Sequence, residues 1–134
     1  MIKYRNGYKY QLAEDFSIEL RHNPLVNYES DFLSINISGV LTIKKGYAWD
    51  GPSGPTIDTD NSMIGALVHD ALYQLMRERV INKSFRGYAD YEAYLSWRKD
   101  GMSFFRARIW YRSVRRLSAP YADPSNRKVV LTAP

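Results

Sequence analysis

Residues 49–76 have the sequence WDGPSGPTIDTDNSMIGALVHDALYQLM, and this stretch decides the fold. Its first part, from Trp49 to Pro55, is rich in glycine and proline, which favour turns and loops. Its last part has apolar residues at the i, i+3, i+4 and i+7 spacing that places them on one face of a helix. The stretch therefore predicts a loop followed by an amphipathic helix, with candidate N-caps at residues 60–62.

The predicted helix carries a His-Asp pair away from its core face. At ~100° per residue, His69 lies roughly 130° from the centre of the apolar stripe, and Asp70 lies on nearly the opposite side. Gly65 and Tyr73 are one turn before and after His69, so Gly65 predicts either open space or close packing beside the imidazole. Asp50, in the preceding loop, is expected near this helix. The structural alternative is a half-buried histidine next to an exposed helix carboxylate.

The first half of the chain alternates apolar and polar residues in the way that is typical of half-buried strands. We expect a tight hairpin at Asn6-Gly7, the dipeptide that best suits a type I′ turn. Further strands are expected over residues 16–20, over residues 32–43 as a hairpin with its turn at Ser38-Gly39, and over residues 47–49. Together they predict an antiparallel sheet.

The second half of the chain has helical patterns. A helix is expected over residues 85–99, with Ser84 as its N-cap and Gly101 just beyond its end. A third helix is expected to follow Ser103 as its N-cap and to end before the next proline. The residues of this helix that are expected to face the core are Phe105, Ile109 and Val114.

Strands that precede helices predict an α+β fold, in which N-terminal antiparallel hairpins pack against about three C-terminal helices. We expect a single domain over residues 1–134, with residues 1–50 mainly β and residues 60–118 mainly α. The tail, residues 119–134, is expected to return as an edge strand over residues 128–132.

Length and composition exclude several classes of protein. A chain of 134 residues is long enough for one domain with its own core and too short for two ordinary domains. The chain contains no cysteine, which excludes disulfide frameworks, thiolate metal sites and thiol nucleophiles. No apolar run reaches the length that spans a bilayer, and charged residues interrupt the N-terminus where a signal peptide would be apolar. We therefore expect a cytoplasmic protein without a membrane partner.

Positive charge is concentrated in the third predicted helix. The net charge is +5, and the arginines of this segment are Arg106, Arg108, Arg112, Arg115 and Arg116. Such a patch can bind nucleic acid, a nucleotide or a membrane surface, although the solvated face of a helix is the simpler interpretation. The eleven tyrosines could stack on bases or sugars, but packing in a small core explains most of them equally well. The sequence allows a nucleic-acid partner without favouring one.

Four residues carry the candidate chemistry: Asp50, His69, Asp70 and Asp90. Asp50, His69 and Asp90 could hold one divalent ion (Mg, Mn or Zn), since carboxylates and imidazole ligate such ions and leave positions open for water. Without a metal, Asp50 or Asp90 could orient His69 as a general base. The structural alternative for Asp90 is an ion pair with Arg86, one helical turn earlier.

The common catalytic signatures are absent from the sequence. It has no glycine-rich phosphate loop, no nucleophile elbow and no His-Glu-x-x-His motif. Ser53 lies in the loop near Asp50, so a Ser-His-Asp arrangement with His69 is a weaker alternative.

Three segments resemble the motifs of an uncharacterised family of small phage and prophage proteins. Residues 50–55 match Asp-x-x-Ser-x-Pro, residues 67–73 match Leu-x-His-Asp-x-Leu-Tyr, and residues 86–90 match Arg-x-x-Ala-Asp. Residues 110–115 are similar to the closing Tyr-x-x-Val-Arg helix of this family, so the resemblance covers residues 40–118. The chain departs from the pattern at Trp49, where threonine is common, and at Ala93, where a bulky residue is common.

The resemblance implies a phage-related origin but no particular reaction. The site that it implies is formed by Asp50, Ser53, His69, Asp70, Tyr73 and Asp90.

We expect a small phage or prophage hydrolase that acts in the host cytoplasm on a phosphate-bearing, nucleotide-type substrate such as a host-defence signal. The candidate catalytic residues are His69, Asp50 and Asp70, and the candidate substrate-binding residues are Trp49, Ser53, Tyr73, Arg77 and Arg86. The alternatives are a non-catalytic protein that sequesters a nucleotide, a cell-wall hydrolase, and a virion or assembly component.

Overall fold

The computed structural model describes residues 4–5, 10–49 and 60–124, with only the backbone for residues 4, 5 and 60. These residues form two compact units, one ending at Trp49 and the other spanning residues 60–124. The described strands lie in the first unit and the described helices in the second, which confirms the predicted α+β class. The expectation of one domain over the whole chain stays a prediction. The edge strand expected over residues 128–132 lies outside the described residues.

The N-terminal unit contains two antiparallel sheets. Its strands are β1 (Tyr4–Arg5), β2 (Tyr10–Leu12), β3 (Phe16–Glu19), β4 (Tyr28–Glu29), β5 (Leu33–Ile35), β6 (Val40–Ile43) and β7 (Ala48–Trp49). One sheet has the order β1-β2-β7 and the other the order β3-β6-β5-β4. A single sheet was expected from the sequence. The strand β4 was not predicted, because a strand of two residues is too short to produce a recognisable alternation.

The hairpin of β5 and β6 lies where it is predicted and buries one apolar face, but Ile37, which continues the same alternating pattern, lies in the turn and is 52% exposed. Leu33 pairs with Ile43 and Ile35 with Leu41, and these four side chains are buried. The turn contains Gly39 at φ +87°, a conformation that side chains with a Cβ rarely adopt.

The turn predicted at Asn6-Gly7 lies outside the described residues, but the strands on either side of it pair in a different register from the predicted one. A two-residue turn would pair Arg5 with Tyr8, but β1 pairs Arg5 with Gln11. The position of β2 is also set by β7, since Gln11 pairs with Ala48. The backbone of Leu12 makes two further hydrogen bonds, to Tyr47 and Gly46. Pairing with a distant segment therefore determines the register more strongly than local turn propensity does.

The C-terminal unit contains four helices within residues 60–124: α1 (Met63–Arg77), α2 (Arg86–Lys99), α3 (Phe104–Leu117) and the short α4 (Ala119–Ala122). Two 3-10 turns, Asp60–Ser62 and Lys83–Phe85, precede α1 and α2. The predicted cap of α3 is confirmed, because the Ser103 hydroxyl accepts a hydrogen bond from the Arg106 amide. The cap predicted at Ser84 is wrong, because the N-cap residue of α2 is Phe85, and the Ser84 amide instead donates to the Asn82 side chain, which caps the preceding 3-10 turn.

The inward face of α3 also differs from the prediction. Phe105 is 75% exposed and Ile109 is 48% exposed, whereas Ala107 and Trp110 are buried. Trp110 packs edge-on against Trp97 of α2 with 5.2 Å between the ring centres, and Val114 is partly buried against the same cluster. The helix has two apolar stripes, and the stripe that carries the indole is the buried one because it removes more apolar surface from water.

Candidate functional site

Asp90 of α2 is the centre of a hydrogen-bonded network that joins three helices. Its side chain is fully buried, with 0% exposure. One carboxylate oxygen, Oδ1, lies 2.8 Å from His69 Nε2 and accepts a hydrogen bond of 2.6 Å from the Tyr73 hydroxyl, both from α1. The other oxygen, Oδ2, accepts a hydrogen bond of 2.8 Å from Arg115 Nη1 of α3. We call Asp90, His69, Tyr73 and Arg115 the carboxylate network.

The helical register of α1 brings the two donors of this helix to the same oxygen. His69 and Tyr73 are one turn apart, and their rings stack with 4.2 Å between the centres. The apolar stripe of α1 is buried as predicted except at its first residue, Ile64, which is half-buried, and His69 and Tyr73 are buried as well. The helix is therefore enclosed on more of its surface than its apolar stripe indicates, and Asp70 lies on a half-buried side of it.

The donors around Asp90 keep its carboxyl ionised. Burial acts to raise the pKa of Asp90, because the charged form is better solvated in water than in a protein interior. The hydrogen bonds from His69, Tyr73 and Arg115, together with the charge of the imidazole, outweigh burial and hold the pKa of Asp90 below its ordinary value. Asp90 is therefore a carboxylate at neutral pH.

The same contact has the opposite effect on Tyr73. Burial of the phenol, its hydrogen bond to Asp90 and the negative charge of that carboxylate raise the pKa of Tyr73 far above its ordinary value. The phenol is therefore a permanent donor to Asp90 at neutral pH.

The ionised state of Asp90 determines which nitrogen of His69 carries a proton. A carboxylate can only accept hydrogen bonds, so His69 Nε2 must donate to Asp90 Oδ1. In the neutral imidazole the lone pair is then on Nδ1. Within the part of the chain that the structure describes, Nδ1 has no hydrogen-bond partner. The network therefore presents an imidazole with a fixed tautomer and one unused basic nitrogen.

The ion pair with Arg86 that was the structural alternative for Asp90 is not formed among the described residues, because the arginine that pairs with Asp90 is Arg115. Arg86 instead donates from Nη2 to the main-chain carbonyl of Arg115. The Nε atom of Arg86 is buried and has no hydrogen-bond partner among the described residues. One guanidinium, that of Arg115, therefore belongs to the carboxylate network, and a second, that of Arg86, contacts the backbone of Arg115 and has a donor without a partner among the described residues.

Sequence reasoning missed the role of Arg115, which is 25 residues from Asp90 along the chain. A signal for it exists in the spacing of α3. Ala107 is buried, Tyr111 is partly buried, and Arg115 follows them at i+4 and i+8 on the same side of the helix. Among the arginines of α3, Arg115 is therefore the one that the spacing from Ala107 and Tyr111 places on the side of the helix that faces the core.

Four further residues are predicted for the site from the sequence: Trp49, Asp50, Ser53 and Arg77. Asp50 and Ser53 lie outside the described residues. Trp49 is buried in the N-terminal unit. Arg77 is buried and donates a hydrogen bond of 2.7 Å to the carbonyl of Tyr121 in α4, so its guanidinium stabilises the junction of α1 and α4.

The space beside Gly65 is filled. A Cβ atom at this position would lie 2.3 Å from the indole Nε1 of Trp97 and 2.9 Å from the carbonyl oxygen of Ala93. The same indole donates a hydrogen bond of 3.1 Å to the carbonyl of Ser62. Of the two predictions made for Gly65, close packing is confirmed and open space is wrong.

Residues 10–49 and 61–124 contain no group of three or more histidine, aspartate or glutamate side chains that converge to hold a metal ion. His69 and Asp90 of the predicted ligand set are hydrogen-bonded to each other, and both oxygens of Asp90 already accept hydrogen bonds.

The raised pKa of Tyr73 predicts a loss of stability in alkaline solution. Above the ordinary tyrosine pKa of about 10 the unfolded chain releases this proton and the folded chain retains it, so stability falls with rising pH by up to about 1.4 kcal/mol per pH unit. Tyr73→Phe should lack this component, whereas the contributions of the other tyrosines are common to both proteins. Urea unfolding of both proteins between about pH 8 and pH 11 measures the difference. If the free energy of unfolding falls with pH equally in both proteins, the pKa of Tyr73 is not raised in the folded state.

Among the described residues, no helix has the length and apolar character needed to cross a bilayer. Comparison of the chain with protein-family models, with curated proteins and with solved structures finds no match.

Proposed function

We propose that the chain is a small hydrolase, phage- or prophage-encoded and cytoplasmic, whose C-terminal unit acts on a phosphate-bearing, nucleotide-type substrate. The observation that carries this proposal is the hydrogen bond between the buried, ionised Asp90 and His69 Nε2. This bond fixes the tautomer of the imidazole and leaves Nδ1 as its basic nitrogen, which in the proposed reaction accepts a proton from a water molecule. A histidine oriented by a buried carboxylate is a recurring arrangement for general-base catalysis.

In the proposed reaction His69 Nδ1 removes a proton from water while the water oxygen attacks phosphorus. The phosphorus–oxygen ester bond breaks, and its electron pair stays with the leaving oxygen. The imidazolium then returns the proton to that oxygen, so the histidine is regenerated. Asp90 acts as a positioning residue: its negative charge stabilises the imidazolium, and its hydrogen bond maintains the required tautomer.

The charges beside the network support a phosphate-bearing substrate. Arg115 is 37% exposed through its side chain while it pairs with Asp90, so its guanidinium also reaches the surface. Arg86 has a buried donor, Nε, that finds no acceptor in the described part of the chain. Guanidinium groups match the geometry of phosphate oxygens and bind them with charge-assisted hydrogen bonds.

The same nitrogen fits a divalent metal ion as an alternative to direct general-base action. His69 Nδ1 would be the ligand, and Asp90 would lie behind the imidazole, as carboxylates commonly do for metal-bound histidines. A bound Mg, Mn or Zn ion would supply a Lewis acid that polarises the phosphoryl oxygen. In this alternative Asp50 would be a further ligand of the ion, and Asp70 would be a supporting carboxylate.

The test is turnover of a panel of linear and cyclic dinucleotides and a chromogenic phosphodiester, with Mg, Mn or Zn and with a chelator. His69→Gln is the informative variant, because its amide can still donate to Asp90 while the basic nitrogen is lost. We expect this variant to fold with little change in melting temperature and to lose turnover. His22→Gln changes the other histidine of the chain, in the N-terminal unit, and should retain full turnover.

Two outcomes would contradict the hydrolase proposal. If His69→Gln turns over substrate as fast as the wild type, His69 is not the base. If the wild type binds a dinucleotide and releases it intact after denaturation, the protein sequesters its ligand without reaction.

A further inference from the structure

The surface where α2 and α3 meet carries a groove that is separate from the carboxylate network. Its volume is about 420 Å³, within the range of roughly 300–1,000 Å³ that is usual for ligand sites. The residues that line it, which we call the tyrosine groove, are Tyr91, Tyr94, Phe104, Arg108, Tyr111 and Arg112. None of them belongs to the network around Asp90.

The aromatic rings of the groove hold one another in place. Tyr91 and Tyr94 of α2 stack with 5.8 Å between ring centres and 17° between ring planes. Tyr111 of α3 meets both of them edge-on, at 6.3 Å and 5.6 Å. Because the rings are ordered by these contacts, a planar group that stacks on them immobilises few additional side chains.

The charge along the groove is positive. Arg98 and Arg108 place their guanidinium carbons 5.9 Å and 6.0 Å from the centre of the Phe104 ring, one from each helix. Arg112 lies next to Arg108 in the lining. The sequence of α3, residues 104–117, contains five arginines and no aspartate or glutamate. A ligand that complements this surface therefore carries negative charge as well as planar rings.

We propose that the tyrosine groove binds single-stranded nucleic acid, with bases stacked on Phe104 and the tyrosines and with phosphates bound by Arg98, Arg108 and Arg112. Aromatic rings beside a basic track are the combination that single-stranded nucleic acid requires, because its bases expose their faces. In a duplex those faces are already stacked on one another. An acidic peptide would satisfy the arginines but would leave the rings unused. The proposal does not depend on the hydrolase activity.

The experiment is fluorescence anisotropy of a labelled oligothymidylate of about ten nucleotides, within the site sizes usual for such proteins. Phe104→Ala should weaken binding roughly 5- to 150-fold, the loss expected for one base–aromatic stack. The matched control is Phe105→Ala, since Phe105 is the next residue on α3 and lies outside the groove. Its affinity should equal that of the wild type.

Salt dependence gives a second, independent readout. Each phosphate contact contributes a slope of about −0.7 in a plot of log affinity against log salt for a single strand. Arg108→Ala should therefore make the slope less steep by about 0.7. Arg116→Ala removes the same charge outside the groove and should leave the slope closer to the wild-type value.

Three results would each overturn the proposal. The first is a wild-type protein that does not bind the oligothymidylate at low salt. The second is an equal effect of Phe104→Ala and Phe105→Ala. The third is equally tight binding of a duplex of the same length, or of polyglutamate, which would mean that charge alone accounts for the association.

Discussion

Asp90→Ala is expected to lower the free energy of unfolding by about 3–5 kcal/mol, the cost of removing one partner from a buried, hydrogen-bonded charge pair. The variant leaves the buried donors of His69 and Tyr73 without their acceptor, and an unsatisfied buried polar group costs about 1–3 kcal/mol. The loss of the ion pair with Arg115 destabilises the variant less than the loss of a pair with a fully buried arginine would, because the partly exposed side chain of Arg115 can turn towards water. Urea unfolding of wild type and variant, compared at their midpoints, measures the effect.

Asp100 provides the matched control for this prediction. It is the C-cap residue of α2, and its buried Oδ2 atom has no hydrogen-bond partner within the described ranges. Burial raises the pKa of Asp100, so its charge is not stabilised in the way that the charge of Asp90 is. Asp100→Asn should change the free energy of unfolding by no more than about 0.5 kcal/mol. A similarly small effect for Asp90→Ala would contradict the central place of Asp90 in the fold.

Gly65→Ala is expected to lower the free energy of unfolding by about 1–3 kcal/mol, the usual cost of overpacking a core. Helix propensity alone favours alanine over glycine by up to about 1 kcal/mol, so the two effects oppose each other. The clash prevails because the added Cβ would lie 2.3 Å from an indole that is hydrogen-bonded to Ser62, and 2.9 Å from the backbone of α2. Relief therefore requires α1 and α2 to move apart.

Gly87→Ala tests the same substitution where space is available. Among the described atoms, a Cβ at Gly87 would meet only the guanidinium of Arg115, at the ordinary contact distance of 3.5 Å. This variant should gain roughly 0.4–1 kcal/mol from the reduced freedom of its unfolded chain. Melting temperatures of the two variants should move in opposite directions. If Gly65→Ala is stabilised as well, the close contact between Gly65 and Trp97 is not present in solution.

The sequence predicts the elements whose signals are local. The apolar stripe of α1, the Ser103 cap, the stop at Gly101 and the Ser38-Gly39 turn depend on residues within a few positions of one another, and all four are confirmed. The His-Asp pair marks the right helix for the same reason. The sequence therefore predicts α1 and names three of the four residues of the carboxylate network, all except Arg115.

The remaining features depend on contacts between distant segments. Arg86 is one turn from Asp90, yet Arg115 is the partner, because the packing of α3 on α2 brings its guanidinium to Oδ2. The buried face of α3 follows from the fit of Trp110 against Trp97 rather than from the count of apolar residues on either stripe. The register of β2 similarly follows from its pairing with β7. No pattern within a single segment contains this information.

The protonation state of His69 tests the central claim most directly. The NMR chemical shifts of its two ring nitrogens, measured in the wild-type protein through long-range proton–nitrogen correlations, distinguish the tautomers. We expect Nε2 to be protonated and Nδ1 to be unprotonated whenever the imidazole is neutral, because the ionised Asp90 accepts from Nε2. A neutral His69 with its proton on Nδ1 would contradict this arrangement, and with it the proposal that Nδ1 acts as a general base.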